Sequence, residues 1–175
     1  MQNKAMMAGF WDHFRTVNGI TMRCIEAITA DKIDAQPCKD MRTAKELVTH
    51  MYAQMRYVAE GIPKGHTPYN GEQDKDAMAG IKNRDDLLRY AKESWTIADR
   101  VVKSLSDAQL QATVKTEWGG MSFPGWIIVS IIYDEHLHHR GQLYTYLRQL
   151  GVEPPFLWDF ENNAPEFRPA QTQQA

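Results

Sequence analysis

The chain has too few cysteines for cysteine chemistry to organise it. Cys24 and Cys38 are the only two in 175 residues, and no CxxC spacing joins them. That argues against a disulfide framework and against a thiolate zinc site. Neither cysteine has a histidine one helical turn away to activate it. Cys24 falls on an apolar helical pattern and reads as a small buried hydrophobe. No run of about 18 apolar residues exists, so a transmembrane helix is not expected. The sequence also lacks GxSxG, a glycine-rich phosphate loop and HExxH. The net charge of −2 gives no reason to expect nucleic acid or an anionic membrane as partner. The first residues, Met1-Gln2-Asn3-Lys4, lead into a segment with Asp12, His13 and Arg15 rather than a signal-peptide core. A cytoplasmic protein is therefore expected.

Strand alternation is absent too, whereas helical periodicity recurs four times. The first segment spans about residues 7–29, with Phe10, Phe14, Val17, Cys24 and Ile28 at steps of three and four or their multiples. In the second, about 43–61, Leu47, Met51, Met55 and Val58 form the stripe. Thr43 with Glu46 predicts a capping box at its start. A third covers about 84–105, including Leu87, Ala91, Trp95, Ala98 and Val102. The fourth runs from about 123 to 150 and spans roughly 40 Å. Ser122 is its candidate N-cap, with Pro124 in the first turn, and Gly151 followed by Pro154-Pro155 is its stop.

These segments predict an all-α four-helix bundle forming one domain over 1–160. Residues 161–175, polar and carrying two prolines and three glutamines, are expected to be a flexible tail. Two connections, 62–83 and 106–122, are longer than an up-down bundle needs, which marks them as a crossover or as functional. Trp118-Gly119-Gly120-Met121 in the second is a candidate lid as well as a plain turn.

Chemistry concentrates in Glu135-His136-Leu137-His138-His139-Arg140-Gly141-Gln142, within the fourth segment. Glu135 and His139 stack one turn apart, and His136 with His139 is a second possible pair. An apolar stripe carries several titratable groups at a cost unless something compensates them, and a metal ion is the simplest compensator. His50, beside the stripe of the second helix, supplies an imidazole from a facing helix. Three such ligands leave a position for water or substrate. Nitrogen and oxygen donors of this kind suit Zn or Ni, with Fe or Mn also compatible. His138, His13 and His66 read as surface residues. Gln142 is placed to orient a ligand imidazole, and Arg140 to pair with a carboxylate. Gly141 costs about 1 kcal/mol relative to alanine inside a helix, which suggests close helix packing.

The stretch from Glu135 to Pro155, ending Leu150-Gly151-Val152-Glu153-Pro154-Pro155, closely resembles the closing motif of the DinB/YfiT-like metalloenzymes. Leu47-Val48-Thr49-His50 is similar to that family's second-helix histidine. The family includes relatives of mycothiol-dependent maleylpyruvate isomerase and bacillithiol transferase-like proteins. The resemblance covers roughly residues 10–157. It implies an up-down-down-up bundle with a long crossover between helices 2 and 3, frequent homodimers, and a divalent metal held by three side chains. Trp11 and Trp95 are apolar positions available to a dimer. Carried over by position, the ligands are His50, His139 and the residue four before His139. Most members have histidine there and this chain has Glu135, as in the maleylpyruvate isomerases, with His136 as the rival. The function implied is a metal-dependent hydrolase or low-molecular-weight-thiol transferase acting on a small molecule through a metal-activated water or thiol. The alternative is a non-catalytic dimeric bundle or a stress-induced metal-binding protein.

Overall fold

The computed structural model describes residues 4–169. Four long helices form the bundle: α1 (Lys4–Ala27), α2 (Ala44–Gly61), α4 (Arg84–Ser104) and α6 (Gly125–Gln149). Two short helices, α3 (Glu72–Gly80) and α5 (Asp107–Gln111), occupy the long connections. The capping box forms as the sequence predicts: Glu46 N donates to Thr43 Oγ1 at 3.1 Å, and Thr43 N to Glu46 Oε2 at 2.7 Å. Asn83 caps α4 by accepting from the Asp86 amide at 2.9 Å.

Side-chain contacts fix the helix directions. Lys4 N, at the start of α1, donates to Asp107 just beyond the end of α4, so those helices are antiparallel. Phe10 meets Tyr133 and Phe14 meets His136, so α1 and α6 run the same way. His50 meets His139 while Tyr52 meets His136, so α2 runs against α6. The order is up-down-down-up. Helices α2 and α4 are parallel neighbours, which the 62–83 crossover makes possible. Each of α1 and α2 packs against both α4 and α6.

The core centres on Phe14, fully buried and meeting Trp11, Trp95, Tyr133 and His136 edge to face at 4.9–5.4 Å between centroids. Trp11 and Trp95 stack on each other at 5.4 Å, and both are buried. They are core residues of one chain, which removes them as dimer contacts.

The connections depart from the sequence expectation. A small sheet joins them, ordered β1 (His66–Thr67), β2 (Thr113–Thr116), β3 (Ser122–Pro124). Strand β1 pairs parallel with β2 (His66 beside Lys115), and β2 pairs antiparallel with β3 (Lys115 beside Ser122). Ser122 is thus a strand residue and not the cap of the last helix. Pro124 occupies the N-cap position of α6. Gly119 and Gly120, both with φ near +65°, make the tight turn between β2 and β3.

The expected flexible tail is ordered as far as it is described. Asn163 Nδ2 donates to Thr16 O at 2.9 Å and Phe167 O at 3.1 Å, and Phe167 packs on Trp95. Arg23 clamps Asp159 at 2.9 Å just upstream. Gly19 permits this docking, because a Cβ there would lie 2.4 Å from Asn163 Nδ2 and 2.6 Å from Phe167 Cβ. A polar composition hid one asparagine and one phenylalanine that satisfy and cover the α1 surface. Residues 170–175 lie outside the described residues.

Gly141 also differs. A Cβ there would meet nothing within 4 Å, so no neighbouring helix requires the glycine. Gly141→Ala is expected to raise stability by about 0.5–1 kcal/mol through helix propensity alone. Urea unfolding checks this, and a loss of stability would reveal a packing role. No helix among the described residues is long and apolar enough to cross a membrane.

Candidate metal centre

Helix α6 packs against both α1 and α2, and its two buried histidines meet different partners. His139, only 6% exposed, faces α2. Its ring lies 4.7 Å from that of His50, centroid to centroid, with the planes at 81°. Leu47 and Met51, buried on either side of His50, anchor the stretch of α2 that presents it. Glu135, one turn before His139, brings a half-exposed carboxylate 3.5 Å from His139 Nε2. The structure therefore brings together His50, Glu135 and His139.

Each imidazole has its Nδ1 engaged. Gln142 Oε1 lies 2.9 Å from His139 Nδ1, and Gln142 Nε2 lies 3.1 Å from the exposed His138. Asp74 Oδ2 lies 2.8 Å from His50 Nδ1. Tyr69 OH lies 2.8 Å from the same nitrogen and donates to Asp74 Oδ1 at 2.9 Å. An acceptor at Nδ1 selects the tautomer whose Nε2 lone pair is open, the arrangement that outer partners of metal-binding histidines impose. Burial lowers the pKa of His139; the Gln142 hydrogen bond opposes this and the nearby His50 adds to it. A neutral imidazole is the form that binds a metal. Burial first, then the charge of Asp74, pushes the Tyr69 phenol well above its ordinary pKa. Tyr69 is therefore a lasting donor to the carboxylate.

The donor chemistry fits a divalent ion: two imidazoles held in one tautomer by outer partners, and one carboxylate. Among the described residues no group of three or more His, Cys, Asp or Glu side chains, as they stand, is placed to hold a metal ion. His50 and Glu135 line a cavity of about 630 Å³ whose walls also include Arg42, Gln54, Tyr69, Trp118 and Ile131. The base of the β2–β3 turn supplies Glu117 and Trp118 to this wall. His66 on β1 holds Glu117 at 2.5 Å, so a histidine read from sequence as surface fastens the wall across 51 residues.

Two expected participants lie elsewhere. His136, the rival ligand, is buried on the α1 side, its Nε2 2.8 Å from Thr21 Oγ1 and its ring against Phe14 and Tyr52. It lies three residues before His139, and these contacts, rather than His50, take its ring. Arg140 lies near Cys24, Tyr133 and Tyr144, on the α1 side as well, away from the His50–His139 pair. Conversely, sequence reasoning missed Tyr69 and Asp74, which come from a connection that reads as a polar linker. The only local signal was its excess length.

Comparison with known proteins agrees with the bundle and its helix order. The chain matches the DinB family over residues 1–165 and belongs to that family. A relative is the uncharacterized protein YjoA of Bacillus subtilis (strain 168), 25% identical over 147 residues, 82% of this chain and 91% of that protein. The crystal structure of YjoA, a DinB-like protein, superposes with a TM-score of 0.67 at 23% identity, covering 83% of this chain and 94% of that one. A DinB-like protein from Bacillus cereus ATCC 10987 gives 0.67 at 16% identity, over 89% and 97% of the two chains. A DinB family member from Exiguobacterium sibiricum 255-15 gives 0.56 at 18%, over 90% and 96%.

Proposed function

We propose that this protein is a divalent-metal-dependent enzyme acting on a small molecule, by hydrolysis or by transfer of a low-molecular-weight thiol. One observation carries the reading: His50 and His139 face each other at 4.7 Å beside a substrate-sized cavity that His50 and Glu135 line, each imidazole with Nδ1 already engaged. His50, His139 and Glu135 would hold the ion. When bound there, a divalent ion supplies Lewis-acid polarisation and a lowered pKa for a coordinated water or thiol.

The chain's own residues do the rest. Asp74 accepts a hydrogen bond from Nδ1–H of His50 and fixes its ring, and Tyr69 fixes Asp74. Gln142 does the same for His139. Glu135 contributes one negative charge, which lowers the net charge of the centre. Tyr69, Trp118 and Ile131 give the cavity apolar walls that position substrate and limit water.

Asp74→Asn is expected to weaken metal affinity about 10- to 100-fold, the usual loss when an outer partner of a ligand histidine is changed. Competition with a fluorescent chelator measures it, and an unchanged affinity would detach Asp74 from the centre. The reading as a whole is tested by turnover. The zinc-loaded full chain is assayed for hydrolysis of p-nitrophenyl acetate and for addition of a small thiol to 1-chloro-2,4-dinitrobenzene, which releases chloride and a proton. Activity in either assay should vanish on chelation, return with zinc, and be absent in His50→Ala. Activity indifferent to metal and to His50, or no activity in either assay, speaks against this reading.

A further inference from the structure

We propose that Arg42 is the anion-recognition residue of this cavity and that the substrate class is a small carboxylate with an apolar body. The inference rests on the metal-site reading for where the reaction occurs, but its own basis is the charge balance of the cavity wall. Each acidic side chain of the described lining already has a partner: Asp74 has His50 and Tyr69, Glu117 has His66, and Glu135 lies against His139. Arg42 is the one permanently cationic side chain among the described lining residues. It is exposed and makes no hydrogen bond or ion pair with any described residue.

Its position suits that role. Arg42 also borders a second cavity of about 660 Å³, and Arg42, Gly71 and Asp74 are common to both walls, so it stands where the two spaces adjoin. It immediately precedes Thr43, the N-cap of the 18-residue helix α2, whose positive end backs the guanidinium. A guanidinium presents a fork that matches a carboxylate bidentately. Trp118 and Ile131 in the same wall offer an apolar surface to the remainder of such a ligand.

The test uses matched probes on the zinc-loaded full chain: phenylacetate against phenylacetamide, which keeps the shape and removes the charge. Calorimetric titration should show phenylacetate binding at least about tenfold more tightly, as one charge-assisted contact provides. Arg42→Gln should bring phenylacetate down to the level of the amide, leaving amide affinity and zinc content unchanged. Arg42→Lys should retain part of the preference. Equal binding of the two probes, no binding of phenylacetate at millimolar concentration, or an undiminished preference in Arg42→Gln would each overturn the proposal. The same titrations on metal-free protein keep the two readings apart. Loss of the zinc site with the Arg42-dependent preference intact would reject the metal reading alone.

Discussion

His139→Ala and His50→Ala should each lower zinc affinity by more than about a hundredfold, exceeding the loss expected at an outer partner such as Asp74. Each substitution removes one of only three donors, and no spare imidazole lies in place to replace it. His136 is seated among Phe14, Thr21 and Tyr52 with its Nε2 at Thr21, and His138 is turned to solvent beside Gln142. The bundle itself should survive. His50 is half-buried, His139 packs against the His50 ring rather than at the centre of the core, and alanine is the better helix former at both positions. A stability cost of about 1 kcal/mol is expected, as for an average substitution. Chelator competition with circular dichroism separates the two effects. Near-native affinity in a folded His139→Ala protein would remove that residue from the centre.

The second large effect is on stability. Phe14→Ala should cost about 3–5 kcal/mol, the range for deleting a buried phenylalanine. Phe14 has no exposed surface and touches four rings drawn from α1, α4 and α6. Those neighbours belong to three helices, so they cannot all collapse into the space it leaves, and a residual cavity is the expected result. Against a typical domain stability of about 5–15 kcal/mol, about a fifth or more of the total would be lost. Urea unfolding measures this through a lower midpoint at unchanged slope. A cost below about 1.5 kcal/mol would mean that the aromatic cluster repacks freely.

How much of this was legible in the sequence follows from the range of each interaction. Four helices were readable because each carries a stripe of buried residues at steps of three and four, and Thr43 with Glu46 announces a start within four residues. The sheet was not. Its strands have two, four and three residues, too few for an alternation to register, and β1 pairs with a strand nearly fifty residues away. The pairing of His50 with His139 was accessible because ligand spacing on α6 and the position of His50 on α2 are both local patterns. Which imidazole of α6 meets His50 was harder: both His136 and His139 lie on its apolar face, and only packing turns His139 to His50 and seats His136 among Phe14, Thr21 and Tyr52. Tyr69 and Asp74 could not be found from local pattern, since α3 buries no residue and its charged sequence resembles a solvated linker. Asn163 and Phe167 were hidden for a similar reason, two anchoring side chains in a segment whose average composition is polar.

The most direct test of the metal centre is elemental analysis of the folded full chain and four variants after equilibration with zinc and removal of the excess. The wild type and His136→Gln should each retain about one equivalent per chain, while His50→Ala, Glu135→Gln and His139→Ala retain far less. A wild-type protein that retains no zinc would contradict the account. So would a folded His136→Gln protein that loses its metal while Glu135→Gln keeps it.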